Sequence, residues 1–269
     1  MSRLLTALAL VALSALPAAA HGFWINGSTW LLDPAGDDHD AVPNESLIYL
    51  GVGHYFPVHQ YLNPEKIGRF EVRSESGAVT PLEGTKEGLV SAPFVVKENG
   101  GHVVTAMLKP YFYSIYKDGD KTRYGAGPKT EFENVQNSSY NEESAKALMR
   151  TTEGGGDFLC KPIGDTFEVV PNVDPFTLKA GAETTLNVTV LLDGEPVAGA
   201  PVFSTHSTHY PRNDMVRNET NDQGVATITI DAKGPWLLMA FTSRPIREAW
   251  KDKADKEEYA ASMTFEIRQ

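Results

Sequence analysis

One cysteine, Cys160, is all that this chain of 269 residues contains. That scarcity excludes an intramolecular disulfide framework and any Cys-x-x-Cys metal or redox motif. In an oxidising compartment, stability must then come from packing, and a lone thiol is expected to serve as a small buried hydrophobe. Basic residues are also short: 24 Lys and Arg face 35 Asp and Glu, a formal charge of −11. Such a chain lacks the electrostatic footprint for nucleic acid or anionic lipid. Beyond residue 20 no apolar run approaches the roughly 18 residues of a membrane helix, so the mature chain is expected to have no transmembrane segment. Enzyme templates are missing as well. There is no G-x-S-x-G elbow, no phosphate-binding loop and no H-E-x-x-H zinc helix. The expectation is a protein that binds rather than catalyses.

What is present begins with an export signal. Arg3 supplies a positive start, Leu4–Leu13 an apolar stretch, and Ala18-Ala19-Ala20 a small-residue cleavage site. Cleavage after Ala20 leaves His21 as the first mature residue, and the periplasm is the expected destination. It also removes one arginine and no acid, leaving 23 basic against 35 acidic residues. An N-terminal histidine carries two nitrogen donors, its imidazole and its free α-amine. The amine has a pKa of about 8, so a metal displaces its proton at modest cost. Imidazole suits nickel, copper, zinc and iron.

The other histidines fall into groups. Gly53-His54-Tyr55-Phe56-Pro57-Val58-His59 places two imidazoles in a short loop after a strand. His54 is the economical partner for His21, with His59 a weaker third donor. Thr205-His206-Ser207-Thr208-His209-Tyr210 holds a second pair. A spacing of three separates imidazoles on a strand but brings them together in a turn, so His206 and His209 are candidate donors from the second half. His39, among aspartates, reads as a solvated loop residue, and His102 as a structural one.

Short β-branched or aromatic segments separated by turn residues predict an all-β protein. Thr184–Leu192 alternates into the hairpin pair Asp193-Gly194, and Asn221-Asp222-Gln223-Gly224 turns into Val225–Ile230. This spacing predicts an immunoglobulin-like C-terminal sandwich over 166–269. Thr29–Leu32, Leu47–Val52, Phe70–Arg73, Phe94–Val96 and His102–Leu108 predict a second β-sandwich over 21–165, after the signal at 1–20. The aromatic stretch containing Tyr111, Phe112, Tyr113, Tyr116 and Tyr124 predicts a hairpin. Ser139-Tyr140-Asn141-Glu142 fits a capping box, and the good helix formers that follow predict one short helix at Glu143–Arg150. A second short helix is expected within Pro245–Tyr259.

Several of these stretches resemble a family of bacterial periplasmic proteins described as components of cobalt or nickel transport systems. They are Ala20-His21-Gly22-Phe23-Trp24, Gly53-His54 with Pro57, Ser139-Tyr140 leading into Ala145-Lys146-Ala147, and Gly164-Asp165-Thr166-Phe167-Glu168-Val169-Val170-Pro171. Asp193-Gly194-Glu195-Pro196-Val197-Ala198-Gly199-Ala200, Asn221-Asp222-Gln223-Gly224 and Gly234-Pro235-Trp236-Leu237-Leu238 continue the likeness. The resemblance implies two β-rich domains, a periplasmic location and a role in transition-metal uptake, with His21 and His54 as ligands. The expected ligand is a nickel or cobalt ion, the expected partner a membrane metal transporter. Two alternatives stay open. The same amine and imidazoles would serve a copper-dependent oxidative enzyme, and a glycan- or protein-binding module would need no metal.

Overall fold

Alternating burial along strands such as Glu45–Gly53 and Thr185–Leu192 is the local signature on which the fold is built. A computed structural model describes residues 22–37, 39–40, 42–209 and 215–269. The first strands are β1 (Gly22–Gly27), β2 (Leu31–Leu32), β3 (Glu45–Gly53), β4 (Ile67–Ser74), β5 (Val79–Pro81) and β6 (Ser91–Val95). Then come β7 (Gly101–Leu108), β8 (Tyr111–Asp118), β9 (Lys121–Ala126), the long β10 (Val135–Thr151) and a one-turn helix α1 (Gly156–Leu159). The second half holds β11 (Phe167–Pro171), β12 (Thr185–Leu192), β13 (Glu195–Pro196), β14 (Pro201–His206) and β15 (Val216–Glu219). It ends with β16 (Val225–Thr229), β17 (Gly234–Pro245) and β18 (Lys256–Ile267).

The protein is all-β, and the strands among the described residues form three sheets. A central sheet runs β15-β14-β17-β18-β10-β7-β4-β5, with β2, β8 and β9 attached near β10. A small sheet, β1-β3-β6, covers one face of it, and Ile25, Ile48, Leu50, Val104, Ala147 and Met149 fill the space between. The third sheet, β11-β12 with β13 and β16, covers the opposite face at the other end. Val188, Ile228, Leu238, Met263 and Phe265 form that second core. Here β11-β12-β16 faces β15-β14-β17-β18, the A-B-E against C′-C-F-G order of an immunoglobulin-like sandwich. Two sandwiches therefore share one continuous sheet.

The shared seam is β10 beside β18. They run parallel from Ser139↔Lys256 to Ala147↔Thr264, although more than a hundred residues separate them in sequence. Ala145, Ala147 and Met149 of β10 face the first core, and Leu148 faces the second. Lys146 points to the second side. Its Nζ lies 3.0 Å from Glu168 Oε2 at the start of β11, with both side chains about 4% exposed. Glu168 also accepts from the backbone N–H groups of Ile163 and Gly164, at 3.0 Å each. Burial holds the Lys146 ammonium below its usual range, and Glu168 opposes that shift. Nearby, Arg69 pairs with Asp165, and Arg73 donates to the Ile163 carbonyl at 2.6 Å. The chain between the halves is thus tied to β4 and β10.

Two expectations are corrected. Glu143–Arg150 is no helix but the second half of β10, and Ser139 and Glu142 lie in the strand rather than at a cap. Tertiary context overrides the propensity of Ala, Lys, Leu and Met, because the segment is covered on both faces and hydrogen-bonded on both edges. Within Pro245–Tyr259 there is only a 3-10 turn at Glu248–Trp250 before β18 begins. The single α-helix among the described residues, α1, instead follows the glycines at 154–155. The expected aromatic hairpin is present as β8–β9, with Tyr113 stacked on Tyr124 and Tyr116 on Phe132.

A testable consequence concerns the seam. Lys146→Met leaves the Glu168 carboxylate buried without its cation, which should cost about 3–5 kcal/mol. Urea unfolding should show that loss. Tryptophan fluorescence (Trp24 and Trp30 in one half, Trp236 in the other) and circular dichroism should report one shared transition. A loss below about 1 kcal/mol, or two separate transitions, would contradict the account.

Candidate functional site

The β1–β3 ladder ends where Gly22 pairs with Gly53, so the loop carrying His54 and His59 starts at the first described residue. His21 itself lies outside the described residues. Gly53 has φ of +128°, and a Cβ there would come within 2.3 Å of His59 Nδ1. Only glycine lets the chain turn there while the imidazole folds back over it. The backbone N–H of His54 donates to His59 Nδ1 at 2.9 Å, and the two rings sit 5.8 Å apart. Tyr55 packs edge-on to His59 at 4.6 Å.

That bond has a chemical consequence. With Nδ1 accepting from an amide, a neutral His59 carries its proton on Nε2. A metal at Nε2 would need the proton on Nδ1, which the amide N–H opposes. The arrangement suits His59 to orient the loop, while the half-buried His54 directly follows Gly53, the ladder partner of Gly22.

The loop is anchored from below. The Pro57 carbonyl accepts from Trp24 Nε1 and Asn26 Nδ2, both at 2.8 Å and both from β1. Phe56 packs edge-on to Trp24 and joins Leu237 of β17 in a small apolar cluster. Gln60 N–H returns to the Val52 carbonyl at 3.0 Å. The residues around His54 are therefore fixed to the strand that begins at Gly22.

His206 and His209 do come together, as the turn reading expected. His206 ends β14, His209 ends a 3-10 turn at Ser207–His209, and their rings are 3.8 Å apart. His206 Nδ1 is 2.6 Å from Thr208 Oγ1, its Nε2 is 3.7 Å from Asp231 Oδ1, and its ring packs on Trp236. Among the described residues, the buried His209 Nδ1 has no hydrogen-bond partner. Burial lowers the His206 pKa, and the neighbouring His209 lowers it further. The structure does not bring this pair to His54. Trp236 belongs to the second core while Leu237 meets the His54 loop, so the two pairs lie on opposite faces of the central sheet. Among the described residues, no three His, Cys, Asp or Glu side chains converge as a ligand set.

The remaining candidates settle simply. His39 is exposed, and its N–H donates to Asp37. His102 is buried against Phe94, as a structural histidine should be. Cys160 is only partly buried. Its thiol donates to the Gly156 carbonyl, and burial raises its pKa, which favours the protonated form.

One feature that the sequence reading missed adjoins Gly22. A cleft of about 380 Å³ opens on the central sheet where the small sheet ends, walled by β10, β17 and β18. A Cβ on Gly22 would meet Met239 Sδ at 2.6 Å, so β1 closes tightly on the cleft rim. The parallel pairing of β10 with β18 builds this hollow, and sequence spacing carries no trace of it.

Comparisons add the following. A family described as a domain of unknown function (DUF4198) matches residues 18–244. No curated protein matches the chain. Among solved structures, it is similar to the D0-D1 domain of Intimin at 14% identity and a TM-score of 0.20, covering 91% of this chain and 97% of that one. It is similar to dimeric latent PorU from Porphyromonas gingivalis at 11% identity and a TM-score of 0.22. That alignment covers 91% of this chain but only 20% of PorU. Likeness at this level carries no argument about function.

The histidine pair generates a pH expectation. A folded-state pKa below the unfolded value means that the unfolded chain binds more protons. His206 therefore contributes stability above its unfolded pKa of about 6.5 and loses it as pH falls toward the folded value. Thermal unfolding of His206→Gln between pH 7.5 and 5.5 should show a shallower loss of stability than the parent chain. An unchanged slope would contradict the burial assignment.

Proposed function

We propose that this chain, which belongs to the DUF4198 family of unknown function, is a periplasmic carrier of a divalent transition metal, nickel or cobalt, for a membrane transporter. In this reading the chain is exported, cleaved after Ala20, and begins at His21. The α-amine and imidazole of His21 chelate the ion, and His54 completes the core of the site. The observation that carries the reading is the pairing of Gly22 with Gly53. One peptide unit, about 3.8 Å between Cα atoms, tethers His21 to the ladder end from which His54 emerges.

Donor chemistry supports the assignment. Two imidazoles and an amine form a nitrogen set of the kind that late first-row divalent ions favour over calcium or magnesium. A site with three protein donors leaves coordination positions for water or for a receiving ligand, as delivery requires. His59 acts by holding the loop. His206 and His209, on the far face of the sheet, stand outside this site.

Calorimetric titration of the processed protein with Ni²⁺ tests the proposal. Loss of an outer-shell partner costs about 10–100-fold in metal affinity, so loss of a donor should cost at least that much. His21→Ala and His54→Ala should each weaken binding by about a hundredfold or more, and His59→Ala by less. The His206→Ala/His209→Ala double variant should bind as the parent does. A second experiment isolates the amine. A form with one extra residue before His21 keeps both imidazoles and should lose most of the affinity. Unchanged binding by that form or by His21→Ala would sink the reading.

A further inference from the structure

The cleft beside Gly22 follows from strand register. Directly paired residues share a face of a sheet, and three rows cross β10, β18 and β17. They are Asn141–Glu258–Ser243, Glu143–Ala260–Phe241 and Ala145–Ser262–Met239. The middle column, except Glu258, is small. Large groups at the edges, Glu143 on one side with Phe241 and Met239 on the other, stand around a floor of Ala260 and Ser262. The hollow of about 380 Å³ lies within the range of small-molecule sites.

Polar and charged side chains, among them Asn141, Glu142, Ser243, Lys256 and Glu258, line the cleft beside its apolar groups, and two of the polar features bear on a ligand. Ser262 is 4% exposed and lines the cleft, yet among the described residues its buried Oγ has no hydrogen-bond partner. A buried hydroxyl left unmatched is costly, and calls for an occupant. The second is the carboxylate of Glu143, fixed by a 2.6 Å hydrogen bond from the Tyr111 hydroxyl. Burial raises the Glu143 carboxyl above its usual range, although Tyr111 and the charge of Lys66 pull the other way. Glu258 is neutralised locally by Lys256 at 2.7 Å. Glu143 and Ser262 sit in adjacent rows of one face, roughly 7 Å apart along the strands.

The geometry points to a binding site for a small organic ammonium ion, whose N–H groups donate to Glu143 and Ser262 while an apolar body lies over Phe241 and Met239. An ammonium suits a partly desolvated carboxylate because a charge-assisted hydrogen bond replaces lost hydration. A bare metal ion fits less well, since no metal-ligand group forms among the described residues. The inference does not depend on the metal reading, and its test runs in the presence of a chelator.

The probes are 2-phenylethylamine, charged at neutral pH, and its uncharged counterpart 2-phenylethanol, titrated calorimetrically into the full-length mature protein. The amine should bind saturably and at least about tenfold more tightly than the alcohol. Glu143→Gln should remove that preference, and Ala260→Leu, which fills the floor, should abolish binding of both. Equal binding of the two probes, no saturable binding of the amine, or an unchanged preference in Glu143→Gln overturns the proposal. If Glu143→Gln fails to fold, as judged by its thermal melt, the probe comparison on the parent chain and Ala260→Leu still decides it.

Discussion

Everything in this molecule depends on the parallel contact between β10 and β18. A parallel pair needs a long crossover, and here the crossover is most of the second sandwich. The pairing converts two sandwiches into one body with a common sheet. It also buries a strand on both faces, so a single lysine of that strand must be neutralised in the interior. Glu168 does so, and two backbone N–H groups from the segment between the halves complete its hydrogen bonding. A buried ion pair is weak evidence of net stability, because desolvating two charges consumes most of what their attraction supplies. Its effect is on specificity. Any other placement of β10 across from β11 would strand a charge in a nonpolar interior.

The same seam positions the start of the chain. Strand β1 lies over it, and the Thr264 hydroxyl of β18 donates to the Ile25 carbonyl at 2.6 Å, close also to the Lys146 carbonyl. Trp24 and Asn26 of β1 in turn hold Pro57 of the histidine loop. A line of direct contacts thus runs from the shared sheet through β1 to the loop that carries His54. Were the proposed ligand set to form there, such a scaffold would limit the reorganisation that binding must bring about. The anchoring also explains why glycine stands at 53: the loop folds back so closely that His59 occupies the space a side chain would need.

Much of this was legible in the residues, and the gaps have physical causes. Half-buried strands and tight turns carry local signals. Alternation in β12, the Asp193-Gly194 turn, the aromatic hairpin and the all-β class were therefore readable. Strand β10 was not. A strand covered on both faces loses its alternation, and Ala145-Lys146-Ala147-Leu148-Met149 carries strong helix propensity that only tertiary pairing overrides. At the site, Gly53-His54 stood out by residue type, and the closeness of His206 and His209 followed from turn geometry. The hydrogen bond that fixes the His59 tautomer arises from a loop conformation five residues long, and the Ser262 hydroxyl, unmatched among the described residues, from packing between distant segments. No spacing rule encodes them.

The nearness of the cleft to the ladder end has a thermodynamic corollary. Gly22 belongs to both: it terminates the β1–β3 ladder opposite Gly53, and it presses on Met239 at the cleft rim. A ligand that displaces Met239 acts on the residue to which His21 is bonded. Should such a ligand alter metal affinity by some factor, the metal must alter the ligand's affinity by the same factor. The coupling can be no larger than the difference in the ligand's affinity for the two positions of β1. Because β1 is held by Thr264, Trp24 and Asn26 at once, those positions differ little. If both proposed sites form, this anchoring favours two nearly independent sites over a switch between them.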